Sequence, residues 1–226
     1  MPIVEKLDDF WNARGNLQPN TRTFRPFRGW EQGAGKHLVF LFRVNSPEIL
    51  SNIAEVQADL SRDEAFVPFP GNYIHITVKV WGFLEDKRAA PGDILPEELG
   101  HVIPQFQAKL SSSKAFDAKL GRLNVFPSVV FTEVQDGGCF AELNRKVLEI
   151  PGIEARWSDH PNYIPHAALG TFKDGMNVKP LIKRLEAHRD ISFGTINVNN
   201  VELVIAHWRD TKFPIFESMC RIELQP

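Results

Sequence analysis

Two segments far apart in the chain repeat one layout: Asn72-Tyr73-Ile74-His75-Ile76-Thr77-Val78 and Asn162-Tyr163-Ile164-Pro165-His166-Ala167-Ala168-Leu169. A strand sends successive side chains to opposite faces, so His75 and Thr77 point one way while Ile74, Ile76 and Val78 point the other. The second segment repeats that alternation around His166. A fold that buries the apolar faces of both strands can bring two imidazoles into one cleft, which is a setting for paired acid and base chemistry. Continuing the period of two groups His75, Thr77, Lys79 and Trp81 on one strand face, and His166, Ala168, Gly170 and Phe172 on the other.

The elements around these strands are legible in the same way. A strand is expected over 37–44, and Ser46-Pro47-Glu48 then starts a helix, with Ser46 as cap and Pro47 in the first turn. Ile49, Leu50, Ile53, Val56 and Leu60 follow at helical spacing. Residues 66–71 read as a turn-rich lead into the first His strand, over 73–84. A second helix opens at Leu95-Pro96-Glu97-Glu98, where Pro104 predicts a kink or a late start. Two strands broken near Pro127, a helix over 139–150, the second His strand over 163–172, a helix over 178–188 and strands over 196–208 and 214–224 complete the chain. The order is that of an α+β fold in two similar halves, with no short-period repeat array.

Residues 1–35 lack sustained periodicity and carry Pro19, Pro26, Gly29, Gly33 and Gly35, so they read as an irregular N-terminal extension ahead of a single bilobal domain over 36–226. Phe24, Phe27 and Trp30 alternate there with Arg22, Arg25 and Arg28. Anchoring of the arm to the domain surface is favoured over stacking on single-stranded nucleic acid. Gly33-Ala34-Gly35-Lys36 lacks the phosphate-loop pattern and precedes a strand, so it reads as a turn.

Composition narrows the function. A formal charge of −2 over 226 residues argues against a broad electrostatic grip on duplex nucleic acid and leaves room for a local phosphate site. Cys139 and Cys220 are too few for a disulfide framework or a cysteine-based zinc site, and a reducing cytoplasm is expected. Apolar runs fall well short of the roughly 20 residues that cross a bilayer as a helix, and no secretion signal is visible. His37, His101, His160, His188 and His207 show no metal-ligand spacing. No metal, cofactor or membrane partner is expected, and a monomer is favoured.

The motifs His75-Ile76-Thr77-Val78 and His166-Ala167-Ala168-Leu169 resemble the paired H-x-[ST]-h motifs of the 2H phosphoesterase superfamily, which includes RNA 2′,3′-cyclic phosphodiesterases, also called 2′-5′ RNA ligase-like proteins. The first motif is complete, and the second lacks its hydroxyl at Ala168. The resemblance runs from about Lys36 to the C-terminus. It implies two lobes, each an antiparallel sheet with helices, related by a pseudo-twofold axis, with the His strands lining a central cleft. The implied activity is a metal-independent phosphodiesterase acting on 2′,3′-cyclic phosphate RNA ends or related nucleotides, so the implied partner is a nucleotide or single-stranded RNA end.

Opening a cyclic phosphodiester needs a base for water, an acid for the departing ribose oxygen and donors for the charged transition state. His75 and His166 are the expected acid–base pair, one neutral and one protonated near neutral pH, with the assignment open. Thr77 is expected to donate to a phosphate oxygen, and Lys79, on the same face, is the candidate to replace the donor missing at Ala168, against the alternative that strand twist carries it to solvent. Tyr73 and Tyr163 are either cleft-edge stacking residues or packing residues, and Phe172 is favoured as core. The competing reading is a nucleotide- or RNA-end-binding module whose turnover faded with the second hydroxyl; ligation has no nucleotidyl-lysine motif behind it.

Overall fold

The computed structural model describes residues 3–20, 35–207 and 213–226. Phe24, Phe27, Trp30 and the neighbouring arginines lie outside the described residues, as does Gly33-Ala34. Residues 3–13, expected to be irregular, form helix α1 (Ile3–Ala13). Leu7, Phe10, Trp11 and Arg14 fall at helical spacing, a pattern that the proline- and glycine-rich residues after them obscured in the sequence.

The chain then runs through β1 (Lys36–Arg43), α2 (Pro47–Leu60), β2 (Phe66–Pro68), β3 (His75–Leu84), β4 (Asp93–Ile94), α3 (Pro96–Leu110), β5 (Phe116–Val125) and β6 (Val129–Gln135). It continues through α4 (Cys139–Leu148), β7 (His166–Phe172), α5 (Lys179–Ala187), β8 (Ser192–Val198), β9 (Asn200–His207) and β10 (Ile215–Glu223). Ser46 caps α2 as expected, accepting from the Ile49 N–H. The helix expected to kink or start late at Pro104 instead runs unbroken over Pro96–Leu110, with Pro104 on the solvent side, where water can satisfy the carbonyl that loses its N–H partner.

The strands form one curled, ten-stranded sheet in the order β10-β9-β1-β3-β7-β6-β5-β8, with β2 beside β7 and β4 beside β3. Every pairing is antiparallel except β3 with β4. The two halves meet where β3 lies against β7, at the pair Ile76 and Ala167. The strand expected over 196–208 is two strands that part at Asn199: β8 edges the second half beside β5, while β9 crosses to the first half beside β1. The turn expected at Phe66–Pro68 pairs with β7. Gly170 permits that approach, since a Cβ there would sit 2.5 Å from the Phe66 ring and 2.6 Å from the Val67 carbonyl oxygen.

Helices α2 to α5 cover one face of the sheet, and they exchange between the halves. Helix α2 packs with α5 against β7 and β8, whereas α3 and α4 pack together against β10 and β3. Each lobe is therefore built from both halves of the sequence. Leu38, Phe40, Phe42, Ile76, Val78, Phe106 and Phe140 belong to the core between sheet and helices. The opposite, cleft face carries the apolar set Val39, Leu41, Val204 and Ala206 in the first lobe, with Val80 and Phe216 against it.

Candidate active site

Antiparallel pairing of Ile76 with Ala167 sets His75 across from Ala168 and Thr77 across from His166, on the face away from the core. The two imidazoles are thus diagonal neighbours across the junction, a relationship that separates residues by roughly 7–8 Å in a regular pair, with the Cβ atoms somewhat closer. Both histidines are partly exposed, while Ile76 and Ala167 between them are buried. The alternation of the two motifs places the pair as the sequence led one to expect.

Each ring is oriented by its own strand. His75 Nδ1 lies 2.6 Å from the Tyr73 carbonyl oxygen, and His166 Nδ1 lies 2.9 Å from the Ile164 carbonyl oxygen. A carbonyl only accepts, so the proton of each neutral ring is assigned to Nδ1 and the Nε2 lone pair is left for chemistry. The Thr77 hydroxyl stands 3.1 Å from His75 Nε2 and donates to it while the ring is neutral. No equivalent hydroxyl accompanies His166, because Ala168 occupies the matching position.

Aromatic rings surround both histidines. Tyr73 and Phe216 present edges to His75 at centroid distances of 5.1 and 4.8 Å, and Phe126 and Phe131 flank His166 at 5.0 and 5.3 Å. Desolvation by these walls lowers both pKa values. His75 falls to about 4, chiefly from burial, opposed by its bond to Tyr73 and deepened by the charges of His166 and Arg43. Burial likewise lowers His166, against its bond to Ile164, with no charged neighbour among the causes. Both rings are therefore neutral near pH 7 in the free protein, where the sequence reading expected one of them to be protonated.

Lys79 does not join the cleft. Thr77 pairs with Leu41 and Lys79 with Phe40, so Val78 is an extra residue in β3, and this bulge reverses the alternation beyond it. Lys79 is turned into the core at 1% exposure, where its ammonium lies 2.5 Å from Asp159 Oδ2. Burial pulls its pKa down against the opposing pull of Asp159. Asp159 also accepts from Asn144 Nδ2 at 3.0 Å and from the Arg156 N–H at 2.7 Å, and Asn144 reaches the Val78 carbonyl at 2.8 Å. The parity argument for Lys79 as a phosphate donor fails at the bulge, and Trp81 goes the same way, with Nε1 on the Gly152 carbonyl at 3.1 Å.

A matching bulge occurs in β7. Phe131 pairs with Ala168 and Val130 with Gly170, leaving Leu169 as the extra residue. Gly170 and Phe172 therefore leave the His166 face, Phe172 is core as favoured, and Thr171 takes its place with its hydroxyl on the Ser128 carbonyl at 2.8 Å. Both bulges fall three residues after the motif histidine, so the duplication extends to the backbone. Tyr73 and Tyr163 are buried: Tyr73 stacks on Phe216 at 5.0 Å, and the Tyr163 hydroxyl donates to the Thr77 carbonyl at 2.7 Å. Of the two readings left open for them, packing is the one realised.

Arg43 escaped the sequence reading. It pairs with His75 across β1 and β3, bonds Glu202 at 3.2 Å and lies over Phe216 at 5.4 Å, which puts a cation at the first-lobe edge of the cleft. Its position at the end of an expected strand, with the parity of Leu41, was the available signal. Among the described residues no cluster of three or more His, Cys, Asp or Glu side chains could hold a metal ion. Among them, too, no helix is long and apolar enough to cross a membrane.

Comparison with known proteins places this geometry. The chain is similar to TT0787 of Thermus thermophilus, at 18% identity and a TM-score of 0.60, with 84% of this chain and 98% of that one covered. It is also similar to E. coli LigT in complex with NADP+, at 15% identity and a TM-score of 0.62, covering 85% of this chain and 99% of LigT. LigT has further been seen with 3′-AMP, at 12% identity to this chain, a TM-score of 0.60 and coverage of 85% and 99%. At these identities the likeness carries the fold. No curated protein sequence matches the chain. The sequence model of the 2′-5′ RNA ligase superfamily matches residues 46–207, most of the chain and both histidine motifs, and the chain belongs to that superfamily, the 2H phosphoesterases.

Proposed function

We propose that the chain hydrolyses a 2′,3′-cyclic phosphate at an RNA end, or a related cyclic nucleotide, without a metal ion. The observation that carries this reading is the pair of imidazoles on one cleft face, each tied through Nδ1 to the carbonyl two residues before it. Family membership supports phosphoesterase chemistry. The complexes of LigT with 3′-AMP, ATP and phosphate support a nucleotide-sized phosphate ligand.

The unequal surroundings of the two rings support a division of roles between them. The first proton brought in with an anionic phosphate favours His166, since the Arg43 guanidinium next to His75 disfavours a charge on that ring. His166 is then the acid and His75 the base. Water attacks phosphorus as His75 Nε2 takes its proton, the ring P–O bond breaks, and His166 Nε2–H protonates the departing ribose oxygen. The product is a phosphomonoester, and the two rings exchange their protons back through solvent. The Thr77 hydroxyl turns from His75 to a phosphate oxygen, stabilising the charge that builds there.

A second reading rests on Ala168. Removing a donor from a charged transition state costs on the order of 10²–10³ in rate, so the same cleft can bind a nucleotide with little turnover. Single-turnover assay of RNA bearing a terminal 2′,3′-cyclic phosphate, with His75→Ala and His166→Ala beside the wild type, tests both readings. Hydrolysis lost in both variants supports catalysis, tight binding without hydrolysis supports the binding module, and equal hydrolysis in all three chains refutes the assignment.

A further inference from the structure

The superfamily match begins at residue 46, so α1 lies outside it. This helix nevertheless docks on the cleft face of the second lobe. Asn124 pairs with Phe131, the ring that flanks His166, and its side-chain amide donates to the Leu7 carbonyl at 2.8 Å. At one end of α1, Lys6 reaches the Asn162 side-chain oxygen at 3.1 Å, in the loop that leads to His166. Beyond its other end, the Asn20 N–H donates to the Pro127 carbonyl at 2.7 Å, in the turn between β5 and β6.

This attachment is built rather than incidental. Leu7 is buried at 5% exposure, and the Trp11 ring lies between the Arg14 and Arg189 guanidiniums, each 4.3 Å from its centroid. Arg189 in turn is held by Glu133, which pairs with His166 across β6 and β7. In the middle of the helix, half-buried Phe10 meets Phe126 edge-on at 4.8 Å, and Phe126 meets His166 edge-on at 5.0 Å. An aromatic wall thus runs from the imidazole to the N-terminal helix.

We infer that α1 is a wall of the substrate cleft, and that Phe10 with Phe126 forms an aromatic subsite for the nucleobase attached to the phosphate held between His75 and His166. The inference rests on the reading of the cleft as a nucleotide phosphate site. A flat aromatic heterocycle is the ligand chemistry that two half-buried rings beside a phosphate site accept best, and stacking on such rings tolerates any base. Base identity would then matter little and presence of a base much.

Calorimetric binding of adenosine 3′-phosphate and of inorganic phosphate to the full chain tests this without requiring turnover. Phe10→Ala should weaken the nucleotide about 10-fold, the loss of one modest stacking contact, while phosphate changes by less than about twofold. Phe10→Leu, which keeps an apolar contact with Phe126 and guards against misfolding, should give the same selective loss. Asn12→Ala, on the exposed side of α1, should change neither. Equal losses for both ligands, or no loss for the nucleotide in either Phe10 variant, would overturn the subsite. Wild-type chain that binds neither ligand would overturn the reading of the cleft itself, and the subsite with it.

Discussion

Thr77 donates its hydroxyl to His75 on its own strand and occupies the position across the sheet junction from His166. Ala168 stands in the mirrored position and has no hydroxyl to offer His166. Thr77→Ala should reduce the single-turnover rate on a cyclic phosphate end by on the order of 10²-fold, the usual cost of a lost transition-state donor. Ala168→Ser should raise it by about 10-fold, because the small, partly exposed site admits a hydroxyl. A rate unmoved by either change would remove hydroxyl donation from the mechanism.

Depressed histidines make folding sensitive to acid. His75 is held at about 4, and His37 at about 3 chiefly by burial with Arg156 adding to it, against 6.5 in the unfolded chain. Between these values the unfolded state binds protons that the native state refuses, so stability rises with pH across that window and is flat above it. Each such proton contributes a slope of about 1.4 kcal/mol per pH unit. Urea titrations from pH 7 to 4 should show a steep decline, and His75→Asn should flatten it by about one proton's worth. Parallel curves for both chains would contradict the depressed His75.

Phosphate binding should bring a proton with it. Both imidazoles are neutral near pH 7 in the free protein, and a bound anion raises their pKa values by favouring the charged form. Affinity for a phosphomonoester should therefore weaken as pH rises through the raised pKa of the complex. Calorimetry in buffers of different ionisation enthalpy should give an uptake of up to one proton, abolished in His166→Asn. An undiminished uptake in that variant would shift the acid role to another group.

The Lys79–Asp159 pair is buried, and Asp159 also accepts from Asn144 and from the Arg156 N–H. Lys79→Met leaves the Asp159 charge without its counter-ion, which costs about 3–5 kcal/mol when such a pair is broken from one side. Lys79→Met combined with Asp159→Asn should recover part of that loss. The midpoint of chemical unfolding reports both, and a neutral single variant would show that the ion pair is not needed for stability.

How far the sequence could be read depended on whether a feature was local. His75 and His166 were found by alternation within single strands, and Ser46 by cap chemistry that needs only its own turn. Lys79 was misplaced because a bulge is a property of two strands in register: the extra residue at Val78 exists only relative to β1. The break at Asn199 was hidden similarly, since β8 and β9 have different neighbours at opposite ends of the sheet. Arg43 and Phe216 lie far from the motifs in sequence and reach the site only through strand order. The helical spacing of α1 was masked by the proline- and glycine-rich residues that follow it, and its docking beside His166 depends on Asn124 and Phe126, which no local pattern marks.

The strand order also governs how the chain must be made. β1 is hydrogen-bonded on one side to β3 and on the other to β9, whose partners for Lys36 to Leu41 are residues 202–207. A nascent chain that has emerged through the first motif and even through His166 still leaves β1 with one edge unpaired. An unpaired apolar edge invites pairing with other chains, and closing it requires a contact across most of the polypeptide, a slow step in folding. The first lobe, although it holds the complete motif, is thus finished only after residues 202–207 have been synthesised, well after the second motif, and the junction between the two histidine strands settles no earlier.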